Sequence, residues 1–132
     1  KVDFRIIVSS IQFLPIGHGW ESWNNFPHER KKLIKMIDKA NLNQTLFISG
    51  DRHRGGIYKF KTDKDKVISE VTSSSLNASF PNKEEYGPLR IGKTFIEENY
   101  GLIYFDSENN DMFVDLKNVN GEVVRNITIS NE

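Results

Sequence analysis

The sequence contains no cysteine. That single absence removes disulfide scaffolds, thiolate-ligated zinc, thiol nucleophiles and redox CxxC pairs. It also lacks a net charge, since 18 Lys and Arg balance 18 Asp and Glu. A stable nucleic-acid partner is therefore not expected, because no broad positive footprint exists to hold one. No apolar run is long enough to span a membrane as a helix, so no transmembrane segment is expected. There is no Gly-x-x-x-x-Gly-Lys loop for nucleotide phosphates and no Gly-x-Ser-x-Gly nucleophile elbow. No signal-peptide pattern opens the chain, which begins at Lys1 rather than Met. That start reads as a processed protein or an excised piece. The remaining composition, 37% hydrophobic over 132 residues, suits one compact domain with a core.

Hydrophobic patterning sets out the elements. Arg5 to Ser10 is β-branched and nearly continuous, which predicts a strand buried on both faces, extended by Ile11 to Leu14. Gly17 to Asn25 is a loop rich in Gly, Asn and aromatics. Pro27 suits a first helical turn, and Leu33, Met36, Ile37 and Ala40 recur at i, i+3, i+4, i+7. Arg30, Lys31, Lys32, Lys35 and Lys39 then form a solvated face. The helix is expected to end over Asn41 to Gln44, before a second buried strand, Thr45 to Ile48, which completes a βαβ crossover. Ile57 to Lys61 and Val67 to Thr72 flank a polar turn and predict a hairpin. Ser73 to Asn99 is polar, with weak periodicity. Such a long irregular stretch is usually functional or ordered by a neighbour. Gly101 to Phe105, Met112 to Leu116 and Glu122 to Ile129 close the chain as strands, the last two joined at Asn120-Gly121. Three glycosylation sequons, at Asn43, Asn77 and Asn126, are ordinary in so Asn-rich a chain.

Two regions could carry chemistry. Ser49-Gly50-Asp51-Arg52-His53 follows the second strand, at the kind of strand end where ligands collect in α/β sheets. On an extended backbone Asp51 and His53 would project to one side. A carboxylate and an imidazole so placed are half of a divalent-metal site. They equally fit a surface turn in which Asp51 bonds backbone N–H groups. Arg52 and Arg54 flank the pair, and guanidinium groups suit phosphate. Metal plus basic donors favours phosphoryl hydrolysis over acyl chemistry. The aromatic loop brings His18, Trp20, Glu21 and Trp23, either as a substrate-facing lid or as two tryptophans anchoring the loop. His28 reads as a helix-surface histidine, Glu97 and Glu98 as a solvated pair, and Ser73 to Ser75 as polar loop.

The stretch His18 to Arg30, the Lys/Leu-rich helix, and Leu46 to His53 together resemble the C-terminal part of PhoD-like alkaline phosphatases. These belong to the calcineurin-like metallophosphoesterase superfamily. Thr72 to Asn77, Glu98 to Gly101 and the final hairpins are similar too, so the likeness covers nearly the whole chain. The resemblance implies an α+β fold, the C-terminal half of a calcineurin-like β-sandwich. One main helix would pack on a mixed sheet, with terminal antiparallel hairpins. Residues 1–132 would be the C-terminal portion of a metallophosphoesterase domain whose N-terminal half is absent. It implies Asp51 and His53 as metal ligands, with Trp20 and Arg52 meeting a phosphate-ester substrate. His18, Glu21 and Arg52 are the weaker catalytic candidates. Iron and calcium, or manganese or zinc, would be the metals. The family's earlier metal-binding motifs do not occur here, and Arg54-Gly55-Gly56 is more polar than its usual counterpart. Two ligands cannot complete a metal shell, so the chain alone is expected to be inactive. Exposed strand edges would favour self-association. An exported location, periplasmic, extracellular or surface-anchored, follows from the family. The alternative is a non-catalytic β-rich binding or assembly module that kept the loop without the chemistry.

Overall fold

A computed structural model describes residues 2–40, 42, 44–80 and 83–130. Asn41, within the expected helix end, and Asn43, in the first sequon, lie outside the described residues. The chain runs β1 (Arg5–Ser9), α1 (Pro27–Lys39), β2 (Gln44–Ser49), β3 (Gly55–Lys61) and β4 (Val67–Ser73). It continues through β5 (Arg90–Phe95), β6 (Asn99–Asp106), β7 (Asp111–Asn118) and β8 (Val123–Ser130). Five strands form a mixed sheet in the order β1-β2-β4-β3-β5, and three form an antiparallel sheet, β6-β7-β8. The expected crossover is present, with β1 parallel to β2, and β3 and β4 pair antiparallel as the expected hairpin.

The period-2 alternation of strand side chains divides the core in two. On the helix side, Phe13, Leu14, Ile37, Phe47, Tyr58 and Ile68 pack together. Between the sheets, Leu46, Ile57 and Val71 meet Met112, Val114 and Ile129. Phe47 and its neighbour Leu46 thus point to opposite layers, and β2 is buried on both faces. The sheets approach so closely at Gly55 that a Cβ there would lie 2.4 Å from Leu116 Cδ2. Only glycine fits that position without displacing a core leucine.

Several expectations are corrected. β1 stops at Ser9, and it is an edge strand with one outward face, where Val8 is 76% exposed. Parallel partners on both sides would have buried it, but among the described strands only β2 pairs with it. The helix turns a different face inward: Leu33, Ile34 and Ile37 pack, while Met36 is 58% exposed. Arg30 belongs to this inward stripe at i, i+3, i+4, i+7, and it bonds the carbonyls of Phe13 (2.8 Å) and Leu14 (3.1 Å). The polar stretch 73–99 contains a strand, β5, which pairs with β3. As an edge strand with only Thr94 buried, it carries little periodic signal.

Candidate functional site

Two clamps hold the chain as it leaves β1. Glu70, from the middle of β4, is fully buried and accepts the N–H groups of Phe13 (2.9 Å) and Leu14 (2.5 Å) and the Ser49 hydroxyl (2.6 Å). Burial pushes its carboxyl pKa up, while these three donors and Arg30 pull it back. Arg30 grips the same dipeptide by its carbonyls and lies 5.6 Å over the Phe13 ring. The Phe13 ring stacks on Phe47 at 4.1 Å and meets Trp23 edge-on. Trp23 also donates its indole N–H to Ser9 Oγ (3.0 Å), so it is the anchoring tryptophan. Trp20, 59% exposed, is not. These contacts set where loop 17–22 stands relative to the ends of β2 and β4.

At the end of β2 the backbone does not stay extended. Asp51 (φ 68°) and His53 (φ 52°) both adopt left-handed conformations, and Arg52 N–H closes on Gly50 O at 2.9 Å. Asp tolerates that region better than most residues because its short carboxylate is polar and unbranched at Cβ. The expected one-sided projection along a strand is therefore replaced by a turn, which still leaves both side chains lining one cavity.

That cavity encloses about 540 Å³. Loop 17–22 brings Trp20 and Glu21 to it, the turn brings Asp51 to Arg54, and the long segment after β4 brings Phe80, Lys83 and Glu85. Its floor is an ion-pair cluster. Glu85 contacts Arg52 Nη2 at 2.5 Å and Arg54 Nε at 3.0 Å. Arg54 Nη1 also reaches Thr94 Oγ1 at 3.4 Å. The Arg52 guanidinium lies 5.3 Å over the Trp20 ring. Both arginines are buried, so Arg52 is already committed to Glu85 and Trp20 rather than standing free. Two guanidinium groups share the Glu85 carboxylate, and the other charged residues lining the cavity are Glu21, Asp51 and Lys83.

His18 does not line this cavity. Its Nδ1 accepts the Trp20 N–H (3.0 Å), so Nε2 carries the ring proton in the neutral form. That buried Nε2 has no partner among the described residues. Burial holds the His18 pKa below its usual value; Glu85 opposes the shift, and Arg52 and Arg54 add to it. Exposed Glu21 and Asp51 share a second, adjoining depression with Phe26. Glu97 is exposed as expected, and Glu98 accepts the Ser79 hydroxyl at 3.2 Å.

His53 is held on three of its polar atoms. Its N–H donates to Ser74 Oγ (3.1 Å), its carbonyl accepts the Phe80 N–H (3.3 Å), and Nδ1 lies 2.5 Å from Ala78 O. A carbonyl can only accept, so Nδ1 carries a proton, and in the neutral ring Nε2 is the nitrogen with the lone pair. A neutral imidazole in that tautomer and a carboxylate lining the same cavity are both ligand types that a metal shell uses. No cluster of three or more His, Asp or Glu suited to a metal occurs among the described residues.

Sequence reasoning missed Glu70, Arg30, Phe80, Lys83 and Glu85. Phe80 had one signal, an isolated aromatic in a polar stretch. A buried glutamate in a strand and a glutamate pair in a loop had none.

A family model for PhoD-like phosphatase matches residues 4–127. Alkaline phosphatase D of Bacillus subtilis (strain 168) is 28% identical over 54 residues, 41% of this chain and 9% of that protein. A solved structure of PhoD superposes with a TM-score of 0.61 at 17% identity, covering 98% of this chain and 32% of that one. At that identity the likeness is one of fold, and this chain spans less than a third of the solved relative's length. The family match runs through both sheets, the helix and the Gly50–Arg54 turn, and it makes this chain a member of the PhoD-like phosphatase family.

Proposed function

We propose that the chain is the C-terminal portion of a metal-dependent hydrolase of phosphate mono- or diesters, and that its two-layer arrangement is half of a calcineurin-like sandwich. The observation that carries this reading is that His53, with Nδ1 bound to Ala78 O, and the exposed Asp51 line one cavity together with Arg52 and Arg54. Asp51 and His53 would hold a metal, with iron, calcium, manganese or zinc as candidates. A bound metal of this kind polarises a phosphoryl oxygen and lowers the pKa of water. Arg52, Arg54 and Lys83 are the cations lining the cavity that a phosphate group would meet, and Trp20 flanks the substrate opening. His18 supports the loop through the Trp20 N–H, and Glu21 faces the cavity as a second carboxylate.

Two ligands fill only part of a coordination shell, so the chain by itself is inactive. The rest of a longer phosphoesterase domain is the proposed partner of the open β1 edge, and in its absence a second copy takes that edge. Export belongs to the same proposal and rests on the family alone. Titrating the chain with Mn²⁺ while following the His53 and Trp20 resonances tests the site. Selective broadening that disappears in Asp51→Ala and His53→Ala is expected; its absence at millimolar metal overturns the metal reading. A chromogenic phosphodiester with Fe, Ca, Mn or Zn should show no turnover, and enzyme-like rates would overturn the inactivity.

A further inference from the structure

His53 stands on a turn with a positive φ (52°), outside any strand or helix that would fix its side chain. An imidazole so placed can turn about two side-chain bonds and exchange between two neutral tautomers. Its orientation is set instead by residues 74–80, part of the polar stretch 73–99 expected to be functional or ordered by a neighbour. Ser74 Oγ takes its N–H, Ala78 O takes the Nδ1 proton, and Phe80 N–H closes on its carbonyl. The Phe80 ring then lies flat on the imidazole, with centroids 4.1 Å apart and planes 9° from parallel. The segment is itself tied to the second sheet. Asn99 N–H donates to Ser75 O (3.0 Å), and Ser79 Oγ donates to Glu98 (3.2 Å).

Phe80 is 52% exposed, so core burial does not account for its placement. What its ring covers is one face of His53. Nε2 is left as the ring nitrogen with no hydrogen bond to any described residue. We propose that Phe80 is a positioning residue: with the Ala78 carbonyl it holds the His53 imidazole in one orientation and in the Nδ1–H tautomer, so that Nε2 is presented as a ligand. The functional meaning of this latch rests on the proposed metal role of His53; the latch itself does not.

The test uses the full ¹⁵N-labelled chain at a pH where the ring is neutral. Long-range ¹H–¹⁵N spectra report which ring nitrogen carries the proton, and a Zn²⁺ titration of the same samples reports affinity. The native chain should show one tautomer, protonated at Nδ1. Phe80→Ala and Phe80→Leu should move both nitrogens towards a mixed average and weaken Zn²⁺ binding by about 10–100-fold, as loss of a ligand's supporting contacts does. Phe80→Tyr should restore both readouts, and thermal stability should stay close to native in all three. If the tautomer mixes in Phe80→Ala and Phe80→Leu but no variant, native included, binds Zn²⁺, the latch stands and the metal reading fails. An unchanged single tautomer in Phe80→Ala and Phe80→Leu overturns the latch.

Discussion

Replacing Glu85 by Ala tests whether the cavity floor is an electrostatic unit. Glu85 is the carboxylate partner of two guanidinium groups, Arg52 at 2.5 Å and Arg54 at 3.0 Å, whose side chains are only 9% and 4% exposed. Removing it strands two buried positive charges. Breaking a buried pair by deleting one partner costs about 3–5 kcal/mol, because the remaining charge keeps its desolvation penalty without its compensation. The Asp51–Arg54 turn can open to water and relieve part of the second charge, so the lower half of that range is expected. For a domain of this size about 3 kcal/mol corresponds to a melting midpoint lower by roughly 10–15 °C. Thermal and urea unfolding followed by circular dichroism measure it. The Lys61–Asp65 pair, at 2.8 Å but with both side chains mostly exposed, is the internal control. Asp65→Asn should leave the midpoint where it is, since water already screens that pair. The triple change Arg52→Met, Arg54→Met, Glu85→Leu should recover most of the loss, because it removes the stranded charges with their partner. A Glu85→Ala midpoint no lower than that of Asp65→Asn would refute the argument. So would a triple variant less stable than Glu85→Ala.

Three further outcomes are expected. Ile37→Ala should cost about 2–5 kcal/mol while Met36→Ala stays within about 0.5 kcal/mol, and a larger loss for Met36→Ala in urea unfolding would mean that the other helix face is the buried one. Gly55→Ala should cost about 1–3 kcal/mol by driving a methyl group into Leu116, and Leu116→Ala in the same chain should add less than it costs alone. Because the His18 pKa is lowered on folding, the unfolded chain takes up that proton first as pH falls. Stability should therefore decline as pH drops below 6.5 towards the lower folded value, and His18→Gln should flatten that decline; a variant with an unchanged pH slope would show that His18 is not its source.

The legible parts of the fold were those written in local pattern. Alternation in Met112, Val114 and Leu116 marked β7, and the Asn120-Gly121 turn marked its link to β8. The motif residues Asp51 and His53 do line the cavity. The helix face was misphased because Ile34 and Met36 are equally apolar, and only packing against Phe13 and Phe47 selects between them. β5 was missed because an exposed edge strand needs no apolar alternation.

The sequence by itself determined most of the elements, the βαβ unit, the family resemblance and the segment 49–53 that carries the candidate ligands. Each of these depends on residues near one another in the chain. Only the tertiary structure decided β5, the turn that this segment makes and what holds that turn. Glu70 clamps residues 56–57 positions away, Glu85 neutralises arginines 31 and 33 positions away, and Phe80 lies on a histidine 27 positions away. Such contacts leave no periodic trace, because they arise where strands from distant parts of the chain end side by side.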